Sequence, residues 1–229
     1  MSRLPALPGS RYRRQWFDSS ACYFPLAGLI IALICLVPAL GIAWLWGPGI
    51  ATLSLLILSG WLTGYFHEDG LADTWDALAG YAPREQALQI MKDSRIGTYG
   101  SAALWASLTL RWQLLLLGPW WLLWPLAQAS SRLTPLLVMF WLDRASDPSQ
   151  HKPSAGKPKF NELLLALITV LMLLAIKPLW LLAALVALPC FAWLWSRWLQ
   201  KRLQGWTGDT LGASQQLSEI LLLALWVLL

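Results

Sequence analysis

Cys22 to Trp46 read CYFPLAGLIIALICLVPALGIAWLW, a stretch without a single charged residue. At ~1.5 Å per residue, a helix of this length crosses a hydrocarbon layer of ~30 Å. After the turn Gly47-Pro48-Gly49, the uncharged run Gly49 to Phe66 repeats the pattern. The whole composition agrees. Of 229 residues, 57% are hydrophobic and 13% charged, with a mean hydropathy of +0.53. An ordinary soluble domain has roughly 45–50% and about 25%. A soluble globular domain, a disordered chain and a disulfide scaffold are excluded. The expected fold is all-α: a polytopic membrane helical bundle without β-sheet, one integral-membrane domain over 1–229.

About seven spans are expected, at 22–46, 49–66, 98–118, 120–142, 161–176, 178–197 and 211–229, with six an alternative, and span 161–176 is short enough that 161–197 could form a re-entrant pair. The basic residues fix an orientation. Four precede the first span, three lie in 67–97, four in 143–160 and three in 197–210, while only Lys177 falls in a loop on the other side. Loops rich in Lys and Arg stay in the cytoplasm. The N-terminus is therefore expected there, as a basic segment 1–21, with an acidic loop or helix at 67–97 and a basic loop at 143–160. This sorting also explains a pI near 9.3 without nucleic acid. The first twenty residues carry Arg3, Arg11, Arg13 and Arg14 and no apolar stretch, so no cleavable signal peptide is expected. Cys22, Cys35 and Cys190 share no metal spacing and read as small core hydrophobes. Trp44, Trp46, Trp120, Trp121, Trp195 and Trp198 near span ends read as an interfacial belt. No internal repeat of the kind found in many secondary transporters is visible.

Half of the twelve acids lie in one loop: Glu68, Asp69, Asp73, Asp76, Glu85 and Asp93. Asp69, Asp73 and Asp76 are spaced i, i+4, i+7 and share one side of a helix. A solvated acidic face would interleave Lys or Arg, and none occurs from 67 to 83. Oxygen ligands at this spacing suit a hard divalent cation such as Mg²⁺ or Mn²⁺, which also holds substrate phosphates. Glu68 adjoins the set, whereas His67 reads as a hydrogen-bonding neighbour of the carboxylates.

Further on, Met91-Lys92-Asp93-Ser94-Arg95-Ile96-Gly97-Thr98-Tyr99-Gly100 joins a carboxylate and two cations to a glycine-containing helix start. Backbone amides of Gly97, Thr98 and Gly100 at such a start bind phosphate, as do Lys92 and Arg95. Thr207-Gly208-Asp209 opens the last span in the same style, with Thr207 or Asp209 also serving as a plain N-cap. Arg132 and Glu219 lie inside spans, where a charge pairs or lines a polar cavity. Arg132 pairs with Glu219 or with a substrate phosphate.

Four stretches resemble the adenosylcobinamide-GDP ribazoletransferase family, the cobalamin synthases of the late corrinoid pathway. They are GYFHEDGLADTWDALAGY (64–81), REQALQIMKDSRIGTYG (84–100), YFPLAGLIIALI (23–34) and GWTGDTLGASQQLSEI (205–220). The resemblance implies a Mg²⁺-dependent enzyme of the bacterial inner membrane, multi-pass, with a cytoplasmic active site, embedded in the lipid bilayer beside other corrinoid-assembly enzymes. Its substrates would be adenosylcobinamide-GDP and α-ribazole or its 5′-phosphate, its products GMP and adenosylcobalamin or its 5′-phosphate. In that reading Glu68, Asp69, Asp73 and Asp76 hold Mg²⁺, Asp76 or Asp93 takes the hydroxyl proton, and Lys92 and Arg95 clamp phosphate. Arg132, Gly97, Thr98, Gly100, Thr207, Gly208 and Asp209 complete the substrate contacts. Two alternatives are a lipid enzyme of the CDP-alcohol phosphatidyltransferase kind, whose Asp pattern is only partly echoed, and a cation transporter. The transporter would want its acids nearer mid-membrane.

Overall fold

The computed structural model describes residues 20–145, 157–174 and 177–229. Most of the basic segment 1–21 and the middle of the 143–160 loop lie outside them. After a 3₁₀ turn at Ser20–Tyr23 come α1 (Phe24–Trp46), α2 (Pro48–Thr63), α3 (Phe66–Leu78), α4 (Arg84–Ile90) and α5 (Thr98–Leu116). Then follow α6 (Trp120–Ser130), α7 (Leu133–Trp141), α8 (Phe160–Leu174), α9 (Pro178–Arg202) and α10 (Gly208–Leu228). The expected absence of sheet holds among the described residues: the one β-type pairing is an isolated bridge between Arg144 and Trp206. Prolines sit at the starts of α1, α2 and α9, where a missing N–H breaks no helical hydrogen bond.

The seven-span expectation is corrected. Among the described residues three helical segments are individually long and apolar enough to cross a membrane: Ala21–Trp46, Pro178–Arg202 and Gly208–Leu228. A fourth is reached only by joining α2 to α3, whose axes differ by 88°. That break explains why the run 49–66 does not continue straight. Gly64 and Tyr65 are both left-handed (φ 68° and 56°), and the Tyr65 N–H donates to the Gly60 carbonyl at 2.6 Å. A side chain at Gly60 would overlap the Tyr65 ring. The right-angle turn makes α2 and α3 a bent pair, a broken span or a re-entrant loop rather than one straight crossing helix. The run 120–142 is split at Ser131-Arg132 into helices of 11 and 9 residues, and α8 has 15. These are too short to span singly. The 98–118 run does form α5, but it buries Arg111.

The outer surface is strongly apolar, and the largely hydrophobic interior encloses a set of charged and polar groups. Trp44 (86% exposed), Val37 (73%) and Val186 (65%) project outward, while Glu219 (0%) and Arg111 (2%) are enclosed. This distribution marks a membrane-embedded bundle. The tryptophan belt is partial: Trp44, Trp46 and Trp121 are exposed, but Trp120 and Trp195 are buried. Trp195 stacks on Trp75, centroids 6.1 Å apart. Cys22 and Cys35 are buried as expected, whereas Cys190 is exposed on an apolar helix.

Candidate active site

α3 carries the acidic cluster and makes its most extensive packing with α10. Two glycines permit the close approach. A Cβ on Gly70 would stand 2.7 Å from the Asp209 carbonyl oxygen, and one on Gly212 would stand 3.3 Å from the His67 Cα. The glycine of the Asp69-Gly70 pair thus serves helix crossing. The crossing brings the start of α10 onto α3 and sets Asp209 beside Asp69 and Asp73.

A cleft of about 550 Å³ opens there, within the usual range for small-molecule sites. Glu68, Asp69, Asp73 and Asp209 line one part of it; Lys92, Asp93, Ser94 and Ile96 line another, with Tyr65 and Met91. Six of the expected site residues therefore come together: Glu68, Asp69, Asp73, Lys92, Asp93 and Asp209. Burial, then the charges of Asp69, Asp209 and Asp76, push Asp73 up to about 7. Like charges so close disfavour ionisation unless a cation joins them.

The donor chemistry suits a hard divalent ion, since the acidic part offers carboxylate oxygens alone. Glu68 supplies a second indication. Its Oε1 accepts from Gln216 at 3.1 Å and pairs with Arg111 at 3.5 Å, while its buried Oε2 has no hydrogen-bond partner. Among the described residues no three ligating side chains already converge on one point.

The remaining expected residues lie around the cleft. Arg95 does not line it: its side chain is 87% exposed and pairs with Asp93 at 2.6 Å. Hydrogen bonds from Arg95 hold the Asp93 carboxyl below its ordinary range. The amides of Gly97 and Gly100, read from sequence as phosphate donors, donate to the Asp76 carboxylate at 2.7 and 2.8 Å. Asp76 is likewise absent from the cleft lining. Thr98 opens α5 at the surface. Thr207 is the N-cap of α10 in a reciprocal capping box with Thr210, at 3.2 and 2.9 Å, and Gly208 follows as the first helical residue.

Beneath the cleft runs a buried polar network that sequence reasoning mostly missed. Arg111 lies between Glu68 (3.5 Å) and Glu219 (3.6 Å). Arg132 pairs directly with neither of its expected partners: it does not line the cleft, and its guanidinium donates to Gln128 Oε1 at 2.8 Å. Gln128 in turn donates to Glu219 at 2.9 Å, as does Gln215 at 3.0 Å. Two arginines thus balance two glutamates inside the bundle. The available signal was polarity inside apolar runs at Arg111, Gln128, Gln215 and Gln216.

The cobalamin-5-phosphate synthase family model matches residues 1–227. An adenosylcobinamide-GDP ribazoletransferase of Vibrio parahaemolyticus is 36% identical, the match covering 96% of this chain and 86% of that protein. Proteins of the same name from Shewanella piezotolerans (37% identical, 96% and 88% covered) and Shewanella pealeana (40%, 89% and 82%) are also similar. No solved structure matches. With a family match along nearly its whole length, the chain belongs to the cobalamin-5-phosphate synthase family.

Proposed function

We propose that the cleft joins adenosylcobinamide-GDP to α-ribazole, or to its 5′-phosphate, in a Mg²⁺-dependent step that releases GMP. The ribazoletransferase activity follows from the family and the relatives. What supports the site assignment is one juxtaposition: Glu68, Asp69, Asp73 and Asp209 share a cleft with Lys92 and Asp93.

The ribazole 3′-hydroxyl oxygen attacks the phosphorus nearest the cobinamide. A new P–O bond forms, the bridging P–O bond to GMP breaks, and GMP leaves with the electron pair. Asp69, Asp73 and Asp209, with the free oxygen of Glu68, would hold Mg²⁺. Bound there, the ion would neutralise the diphosphate and the charge developing on the leaving phosphate. Lys92 contributes a cation toward phosphate oxygens. Asp93 lines the cleft and takes the hydroxyl proton; its Arg95 partner keeps it ionised, as a base must be. The basic loops support a placement in the bacterial inner membrane with the cleft facing the cytoplasm.

The test is to supply the detergent-purified protein with adenosylcobinamide-GDP, α-ribazole and Mg²⁺ and follow corrinoid and GMP. Equal amounts of GMP and cobalamin, both lost on chelation and restored by Mg²⁺, are expected. Turnover that persists in chelator would overturn the metal assignment, and GMP release without cobalamin would overturn the transfer.

A further inference from the structure

The Asp76 carboxylate closes a capping box from another helix. At a common helix start the N-cap side chain accepts from the N3 amide, and the N3 side chain accepts from the N-cap amide. In α5 the N-cap is Gly97 and N3 is Gly100, so neither position has a side chain to offer. Asp76 Oδ2 accepts from the Gly97 N–H at 2.7 Å, and Oδ1 accepts from the Gly100 N–H at 2.8 Å. One carboxylate of α3 thus satisfies both amides, and its charge faces the positive end of the helix. The two glycines belong to the same arrangement. A Cβ on either would collide with the Asp76 carboxylate, and one on Gly100 would also lie 2.9 Å from the Ala72 carbonyl oxygen.

We infer that Asp76 is a positioning residue, which fastens the 91–97 segment to the helix bearing Asp69 and Asp73. It acts through Lys92 and Asp93, neither ligating metal nor taking a proton. Residues 91–94 and 96 line the cleft, and the next residue, Gly97, is the anchored one. On the same helix, Asp69 and Asp73 line the cleft as well, and Asp76 does not. Asp76 therefore fixes the distance between the α3 side of the cleft and the segment that carries Lys92 and Asp93. The inference rests on the reading of the cleft given above for what the two sides bind.

The test compares Asp76→Asn and Asp76→Ala with Asp69→Asn and Asp73→Asn, measuring KM for adenosylcobinamide-GDP and the Mg²⁺ concentration at half-maximal rate. Asn accepts through one oxygen and turns an NH₂ toward the second amide, so KM should rise roughly tenfold. The Mg²⁺ requirement should stay put in both Asp76 variants and rise in the Asp69 and Asp73 variants. A rescue arm separates positioning from mere folding. In Asp76→Ala the space beside Gly97 is empty, and the extended backbone there (φ −97°, ψ −176°) is that of an N-cap. Adding Gly97→Ser supplies a local cap and should recover much of the lost KM, and of any lost folding yield. A serine restores neither a metal ligand nor a base. The inference is overturned if Asp76→Asn raises the Mg²⁺ requirement as Asp73→Asn does, or if Gly97→Ser rescues nothing. Should Asp69→Asn and Asp73→Asn leave the Mg²⁺ requirement unchanged, the metal reading fails on its own, and the serine rescue still decides the role of Asp76.

Discussion

Gly70 and Asp209 meet backbone to backbone: a Cβ on Gly70 would stand 2.7 Å from the Asp209 carbonyl oxygen and 2.9 Å from its Cα. Neither neighbouring atom is the end of a flexible side chain, so the contact has no easy way to yield. Gly70→Ala must push α10 away from α3 and carry the Asp209 carboxylate off Asp73. Overpacking of this kind costs about 1–3 kcal/mol. A lower melting temperature in detergent is expected, with turnover falling further than the stability loss alone would cause. Wild-type turnover in a fully folded Gly70→Ala protein would show that the α3–α10 spacing does not set the site.

The acidic helix was legible in the sequence because its signal is local: carboxylates one turn apart, without interleaved bases. The apolar runs were legible too, yet their number overstated the spans. Tyr65 adopts φ 56° because its ring seats over Gly60, and a tertiary contact of this kind leaves no mark in hydropathy. The break at Ser131-Arg132 was similarly hidden inside a continuous apolar run. The i+7 spacing puts Asp76 on the stripe of expected ligands, but its partners lie 21 and 24 residues away. Arg111 carried only the fact of its charge, and no spacing rule joins it to Glu68 and Glu219.

Arg111→Met should be among the most damaging substitutions away from the cleft lining. It removes the cation between Glu68 and Glu219, whose side chains are 12% and 0% exposed. Removing one member of a buried ion pair costs about 3–5 kcal/mol, because the remaining charge is uncompensated. Thermal unfolding in detergent should show the loss, and adding Glu219→Gln should restore part of it. A double variant no more stable than the single would mean that the Arg111–Glu219 contact is unimportant.

Thr207 is expected to act through the helix start. Thr207→Ala removes the hydroxyl that accepts from the Thr210 amide, a change worth about 1 kcal/mol. Thr207→Ser keeps the acceptor and should melt like the parent protein. Both variants should keep the parental KM for adenosylcobinamide-GDP. A large KM increase in the serine variant would point to a direct substrate contact through the threonine methyl group.

Asp73 gives the fold a pH dependence of definite sign. Its carboxyl titrates at about 7 in the folded chain, against an ordinary value of 3.8. Between those values the folded state keeps a proton that the unfolded state has released, so stability falls as pH rises and reaches its low plateau above about 7. Below the ordinary value both states are protonated and the contribution vanishes. Without divalent cations, the melting temperature should therefore be lower at about pH 8 than at about pH 5. Mg²⁺ should restore more stability at the higher pH, because an ionised Asp73 is the form that binds it. Asp73→Asn removes the titrating group and should flatten this part of the profile while weakening the Mg²⁺ effect. An unchanged slope in that variant would assign the dependence to another carboxylate of the cleft.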